Sequence, residues 1–193
     1  MQDPLALLRS DRARAREARD PWANLCVLAT VDVDNTPQAR VVVLRDIEQR
    51  LAVFVNGTSP KCAELRRSEH QAVLLYLSSL AIQYRLRVAL EPVPSATVHA
   101  SWLERPRIPK VMDWLYEYVQ AQSTPLESRQ HLLDHYRNVD ERLPANVTAP
   151  SNAVGFYLSI DRIDRLELSG DRPHTRSVFE RTAKGWHATT LVP

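Results

Sequence analysis

Residues 82–88 read IQYRLRV, and the alternation is strict. Ile82, Tyr84, Leu86 and Val88 fall on one side of an extended chain, and Gln83, Arg85 and Arg87 on the other. Such a strand has one buried side and one side able to meet a polar ligand or a partner. Outward from it the chain is punctuated by more short runs rich in β-branched residues. LCVLATV (25–31), QARVVVL (38–44), LAVFV (51–55) and AVLLYL (72–77) precede it. GFYLSI, RLELS, SVFER and WHATTLV follow the loop RLPANVTAPSN at 142–152. The connections DVDNTP and RDIEQR are of hairpin length, so the first three strands are expected to be antiparallel neighbours.

Two further patterns complete the architecture. Ile108, Val111, Met112, Leu115 and Val119 keep helical spacing, as do Leu126, Leu133 and Tyr136, and both stripes read as core. The first twenty residues read as a surface helix, with Leu5 and Leu8 on one side and Arg9, Arg12, Arg16 and Arg19 elsewhere, ended by DPW at 20–22. Strand-rich ends around a helical middle predict a mainly β or α+β fold, an antiparallel barrel with flanking helices. The expected organisation is one domain over 1–193, with an N-terminal helix at 1–20 and a helical insertion at 95–143.

Composition narrows the function. The chain has 193 residues, 44% hydrophobic and 25% charged, with a net charge of +2. That charge is too small to argue for nucleic acid, and Asp11, Glu17 and Asp20 partly offset the N-terminal arginines. The N-terminus does not read as a signal peptide, and no run approaches a membrane span. Cys26 and Cys62 read as free thiols, and the expected location is the cytoplasm. Only four glycines occur, Gly57, Gly155, Gly170 and Gly185. Neither G-x-G-x-x-G nor a Walker A loop can be written from them, so a phosphorylated ligand must be held by side chains and a helix N-terminus. His131 and His135 are four apart on a helix without an evident third ligand, so no metal site is expected. No nucleophile elbow occurs.

One helix start has the needed character. In TSPKCAELRRSE (58–69), Ser59 is a good N-cap, Pro60 occupies the first helical position, and Lys61 lies in the first turn. A cation there opposes the helix dipole, and a bound phosphate resolves the conflict. Near the C-terminus SGDRPHTRSVFER (169–181) places Arg172, His174 and Arg176 at alternate positions. An extended chain sets its ends about 13 Å apart, a span suited to a long anionic ligand or to two ligands side by side.

The order of these pieces resembles the pyridoxamine 5′-phosphate oxidase family of FMN-binding split β-barrels, from about residue 20 to the C-terminus. The likeness is carried by LATVDVDNTPQARVVVLR (28–45), VFVNGTSPKCAEL (53–65) and the Gln83 strand. It continues through ERPR (104–107), QS (122–123), RPHTR (172–176) and WHATTLVP (186–193). The resemblance implies FMN as cofactor, bound by Arg40, Val41, Val42, Val43, Leu44, Arg45, Phe54, Val55, Ser59, Lys61, Gln83, Gln122, Ser123 and Arg176. Arg40, Ser59 and Lys61 would hold its phosphate and Gln83 its ring, with Gln122 and Ser123 supplied across a homodimer interface. Arg45, Arg105, Arg172 and His174 would bind substrate, Arg105 gripping a phosphate and Arg172 and His174 acting at the catalytic centre. The implied reaction oxidises pyridoxamine or pyridoxine 5′-phosphate to pyridoxal 5′-phosphate, with no nucleic acid or membrane partner.

The chain departs from the family pattern at several positions. Pro60 stands where an arginine is usual, Arg45 replaces a lysine, and Leu166 replaces a tryptophan. The substrate-phosphate trio of tyrosine, arginine and serine reads Ser101, Arg105 and Pro109. Besides the B6 oxidase, the resemblance therefore leaves open a paralogous flavin oxidoreductase with another substrate, or a barrel that binds a cofactor without turnover.

Overall fold

The computed structural model describes residues 3–193. Asp3 opens the chain's first helix, α1 (Pro4–Glu17), its carboxylate accepting the Leu5 N–H at 3.0 Å with Pro4 at the first helical position. Three strands follow, β1 (Leu25–Val31), β2 (Pro37–Ile47) and β3 (Arg50–Asn56), then the short helix α2 (Pro60–Arg67). β4 (Gln71–Leu77) and β5 (Ile82–Pro92) lead into α3 (Ser95–Leu103), α4 (Arg107–Tyr118) and α5 (Arg129–Arg142). β6 (Ala153–Glu167), β7 (Thr175–Thr182) and β8 (Gly185–Leu191) close the chain.

The sheet order is β3-β2-β1-β4-β5-β6-β7-β8, and β3 also pairs with β6. That pairing closes six strands into an antiparallel barrel, with flanking helices, and leaves β7 and β8 as a hairpin beyond it. The hairpin reading of RDIEQR holds: Ile47 faces Arg50, so Glu48 and Gln49 form a two-residue turn with φ of 50° and 64°. Both angles are left-handed, the geometry that matches the twist of the flanking strands, here adopted without the usual Asn-Gly.

The chain divides into two compact units. The first takes in the strands up to Val53, Ser68–Glu91 and Leu158–Pro193, together with α1. Its core holds Leu28, Val73, Leu75, Tyr84, Leu86, Val88 and Ile163, so the buried face read from IQYRLRV is the inner one. The second comprises Phe54–Arg67 and Pro92–Tyr157. Trp102, Val147 and Ala149 form a core there, packed by Trp114, Leu143 and Ala153. Gly155 sits so close to Phe54 that a Cβ at this position would lie 2.8 Å from the ring.

Four expectations are corrected. The two helical stripes are not both core: in α4 only Val111 and Leu115 of the stripe are buried and Ile108 is 65% exposed, while α5 buries no residue and Leu126 lies before it. GFYLSI and RLELS are one continuous strand, β6. The DRID between them stays extended because its charges are satisfied sideways, Asp161 by Arg87 and Asp164 by Arg85 and Arg176. The row Arg172, His174, Arg176 is not one straight strand face, since β7 begins only at Thr175. Finally, Arg12 is not on a solvated side of α1; it is fully buried, bonded to Asp46 Oδ1 at 2.6 Å and to the Ala23 carbonyl at 3.4 Å.

Beside Arg12, Asp11 is also buried. The Tyr84 hydroxyl donates to Asp11 Oδ2 at 2.6 Å and accepts Arg165 Nε at 3.0 Å. Burial, reinforced by Asp11, pushes the Tyr84 phenol well above its ordinary pKa and keeps it a neutral donor. Tyr84→Phe leaves this buried carboxylate one donor short and is expected to cost about 1–3 kcal/mol. A thermal melt of the variant checks this, and an unchanged midpoint would show the hydroxyl to be idle.

Candidate functional site

In the second unit the start of α2 gathers several of the expected residues. No acid occupies the first turn of the helix. Lys61 Nζ donates to Gln122 Oε1 at 3.0 Å, and the Gln122 N–H donates to Thr58 Oγ1 at 3.1 Å. Gln122 therefore reaches Lys61 of its own chain. Ser59 is buried, its hydroxyl donating to the Asn56 carbonyl at 2.7 Å, so its proton is committed. Thr58 bonds Asn56 Oδ1 through both its N–H, at 2.9 Å, and its hydroxyl, at 2.6 Å. Ser123 is exposed, with a left-handed φ of 68°. A lysine ammonium and a side-chain amide at an acid-free helix start offer donors of the kind a phosphate requires.

Arg105 lies in the same unit, just before α4. Its Nη1 bonds Asp113 Oδ2, and the same oxygen accepts Trp102 Nε1–H at 2.8 Å. Of its two expected companions, Ser101 is buried, and Pro109 has no N–H.

In the first unit β2 is an interior strand, yet Val41 and Val43 remain 50% and 53% exposed. They share a face with Ala39, while Arg40 points the other way and bonds Thr30 Oγ1. Apolar side chains left uncovered on an interior strand form a surface suited to a flat aromatic ring. Leu44 and Val55 are core residues, so any contact they make with a ligand would run through their backbone. Val42, Arg45, Phe54 and Gln83 are half-buried, and Gln83 faces Tyr76 across β4–β5.

The R-x-H-x-R segment is held by carboxylates that the sequence reading did not anticipate. Arg176 pairs with Asp164 through two bonds of 3.1 and 2.9 Å, and Arg85 binds the same carboxylate. Burial opposes ionisation of Asp164, but the bonds from Arg176 and Arg85 outweigh it and hold its carboxyl below the usual range. Arg172 Nη2 bonds Glu167 Oε1 at 2.7 Å, while Glu167 Oε2 accepts Arg165 Nη1 at 3.0 Å. Arg165 is in turn fixed to Asp11 at 3.1 Å, so a chain of bonds runs from α1 to Arg172. His174 Nδ1 accepts the Ser169 N–H at 3.1 Å, which leaves Nε2 to carry the proton outward in the neutral ring. The only advance sign of these partners is the alternation of acids and arginines in DRIDRLE (161–167), which does not say which pairs form.

A closed six-stranded antiparallel barrel with flanking helices defines a protein of the split-barrel class. The profile described as pyridoxamine 5′-phosphate oxidase matches residues 16–142. The chain belongs to that family. The pyridoxine/pyridoxamine 5′-phosphate oxidase of Anaeromyxobacter dehalogenans is 31% identical over 99% of this chain and 96% of its own. That of Sphingopyxis alaskensis is 33% identical, over 99% and 88%. Among solved structures, PhzG from Burkholderia lata, in complex with tetrahydrophenazine-1-carboxylic acid, superposes with a TM-score of 0.88. It is 25% identical, and the match covers all of this chain (100%) and 94% of that one. A pyridoxamine 5′-phosphate oxidase-related, FMN-binding protein from Nostoc punctiforme shares the fold, with a TM-score of 0.76 at 18% identity over 97% and 96% of the two chains.

Proposed function

We propose that this protein is an FMN-dependent oxidoreductase of the pyridoxamine/pyridoxine 5′-phosphate oxidase type, acting as a cytoplasmic homodimer. The start of α2 carries the reading: Lys61 and Gln122 meet there beside Thr58 and Ser59, with no acid in the first turn. When bound, FMN supplies two-electron redox chemistry. Arg40 and Lys61 neutralise its phosphate, and Gln83 offers its carboxamide to the polar edge of the ring. Arg172 and His174 orient the substrate, His174 by donating from Nε2. The uncovered valines of β2 also favour a second copy of the chain over that face, and the two unpaired cysteines suit a reducing compartment.

Two substrate classes are compatible with this assignment. A phosphorylated B6 vitamer is supported by the activity named for relatives at 31% and 33% identity across almost the whole chain. A different reduced ring compound is supported by the likeness to PhzG and by the carboxylate on Arg105. The test is to load the protein with FMN and add pyridoxamine 5′-phosphate without oxygen. Bleaching of the visible bands supports the vitamer, and persistent yellow excludes it.

Glu167→Gln removes the charge that holds Arg172. The expected outcome is about a tenfold loss of kcat/KM with FMN affinity unchanged, since one charge-assisted bond is weakened. Glu167→Asp should recover part of it. Unaltered kinetics in Glu167→Gln would remove Arg172 from substrate orientation.

A further inference from the structure

The segment assigned to the substrate's phosphate contains three cations, Arg105, Arg107 and Lys110, and each has a partner within its own unit. Arg105 is bonded to Asp113, whose side chain is only 9% exposed. Arg107 reaches Asp140 Oδ1 at 2.7 Å, the carbonyls of Asp140 and Leu143 at 2.7 Å each, and that of Pro144 at 3.1 Å. Lys110 Nζ donates to the Leu103 carbonyl at 2.7 Å and stands 5.3 Å from the centre of the Trp102 ring. Asp113 has no easy way to withdraw, because the buried Trp102 indole N–H is bonded to the oxygen that holds Arg105.

A phosphomonoester carries a charge of about −1.5 to −2 at neutral pH and is gripped by several positively charged donors at once. Here the remaining arginine is cancelled by a buried carboxylate, and a dianion brought to Arg105 meets that carboxylate's charge directly. Pro109 adds no donor. We infer that Asp113 sets the substrate class by holding Arg105 out of phosphate binding: the substrate carries no phosphate ester and at most one negative charge, such as a single carboxylate. This rests on the flavin oxidoreductase reading above and narrows it to the unphosphorylated class.

The test uses the full chain loaded with FMN, with pyridoxine 5′-phosphate and pyridoxine compared by equilibrium dialysis. Wild type is expected to favour the phosphorylated compound by less than about tenfold. D113N, which frees Arg105, is expected to gain at least about tenfold in affinity for pyridoxine 5′-phosphate and none for pyridoxine. A wild-type preference of tenfold or more overturns the inference, as does a folded D113N without the gain. If wild type takes up neither compound, D113N must acquire pyridoxine 5′-phosphate binding for the inference to stand. Because Asp113 is buried, the wild-type ratio also serves when the variant does not fold. Failure to retain FMN before either compound is added would instead defeat the flavin reading, so the two failures are separable.

Discussion

Replacing Arg40 and Lys61 together by alanine is expected to abolish FMN retention while leaving the fold in place. Each is a cation assigned to the FMN phosphate. A hydrogen bond from a charged group contributes about 1.5–3 kcal/mol, so losing both weakens binding by about 3–6 kcal/mol, or roughly 10²–10⁴-fold. Neither side chain is part of a buried core: both residues are only partly buried, Lys61 bonding Gln122 and Arg40 bonding Thr30. The double variant should therefore melt close to wild type and elute from a desalting column colourless. A yellow variant with unchanged affinity would remove the phosphate site from the start of α2 and from Arg40.

The largest loss of stability is expected from Asp46→Ala. Arg12 is completely buried, and Asp46 is its only carboxylate partner among the described residues. Burial acts to discharge Arg12 and lowers its pKa, with Asp46 opposing, yet a guanidinium stays protonated at any ordinary pH. Removing Asp46 thus leaves a buried charge without compensation, a change that costs about 3–5 kcal/mol. The lower end is expected here, because Asp46 itself is partly solvated and also serves Arg16 at 2.7 Å. For Asp46, burial opposes ionisation, but the bonds from Arg16 and Arg12 prevail and its carboxyl lies below the usual range. The folded pKa is depressed, so the stabilisation is complete above the unfolded value of about 3.9 and is lost as pH falls through the folded one. Urea unfolding should show a constant gap between wild type and D46A above about pH 5 that narrows in acid. A gap that is absent at pH 7 would show Arg12 to be satisfied by other groups.

The legible part of this protein is what local periodicity controls. IQYRLRV declares its inner face two residues at a time, and β5 buries that face. Ser59-Pro60 announces the start of α2, and DVDNTP and RDIEQR announce hairpins, because turn chemistry and helix starts are written in adjacent residues. Illegible parts depend on partners far away in sequence. Arg12 reads as a solvated arginine on a surface helix until Asp46 is brought to it by the pairing of β2 with β1. Asp164 falls between two expected strands until Arg85 and Arg176 are seen to neutralise it, and Glu167 shows no partner until Arg172 is brought to it. The family resemblance makes ERPR a phosphate grip, and only the packing of α4 brings Asp113 onto Arg105. Charge pairing across elements carries no period, so the sequence shows the ions without showing their matches.

FMN binding by the barrel, proposed above, is tested by uptake. The purified chain would be mixed with FMN, passed through a desalting column and examined by visible absorption, with R40A/K61A treated in parallel. The wild-type chain is expected to emerge yellow with a flavin spectrum altered from that of free FMN, and the double variant without colour. A wild-type chain that leaves the column colourless after saturating FMN would contradict the proposal.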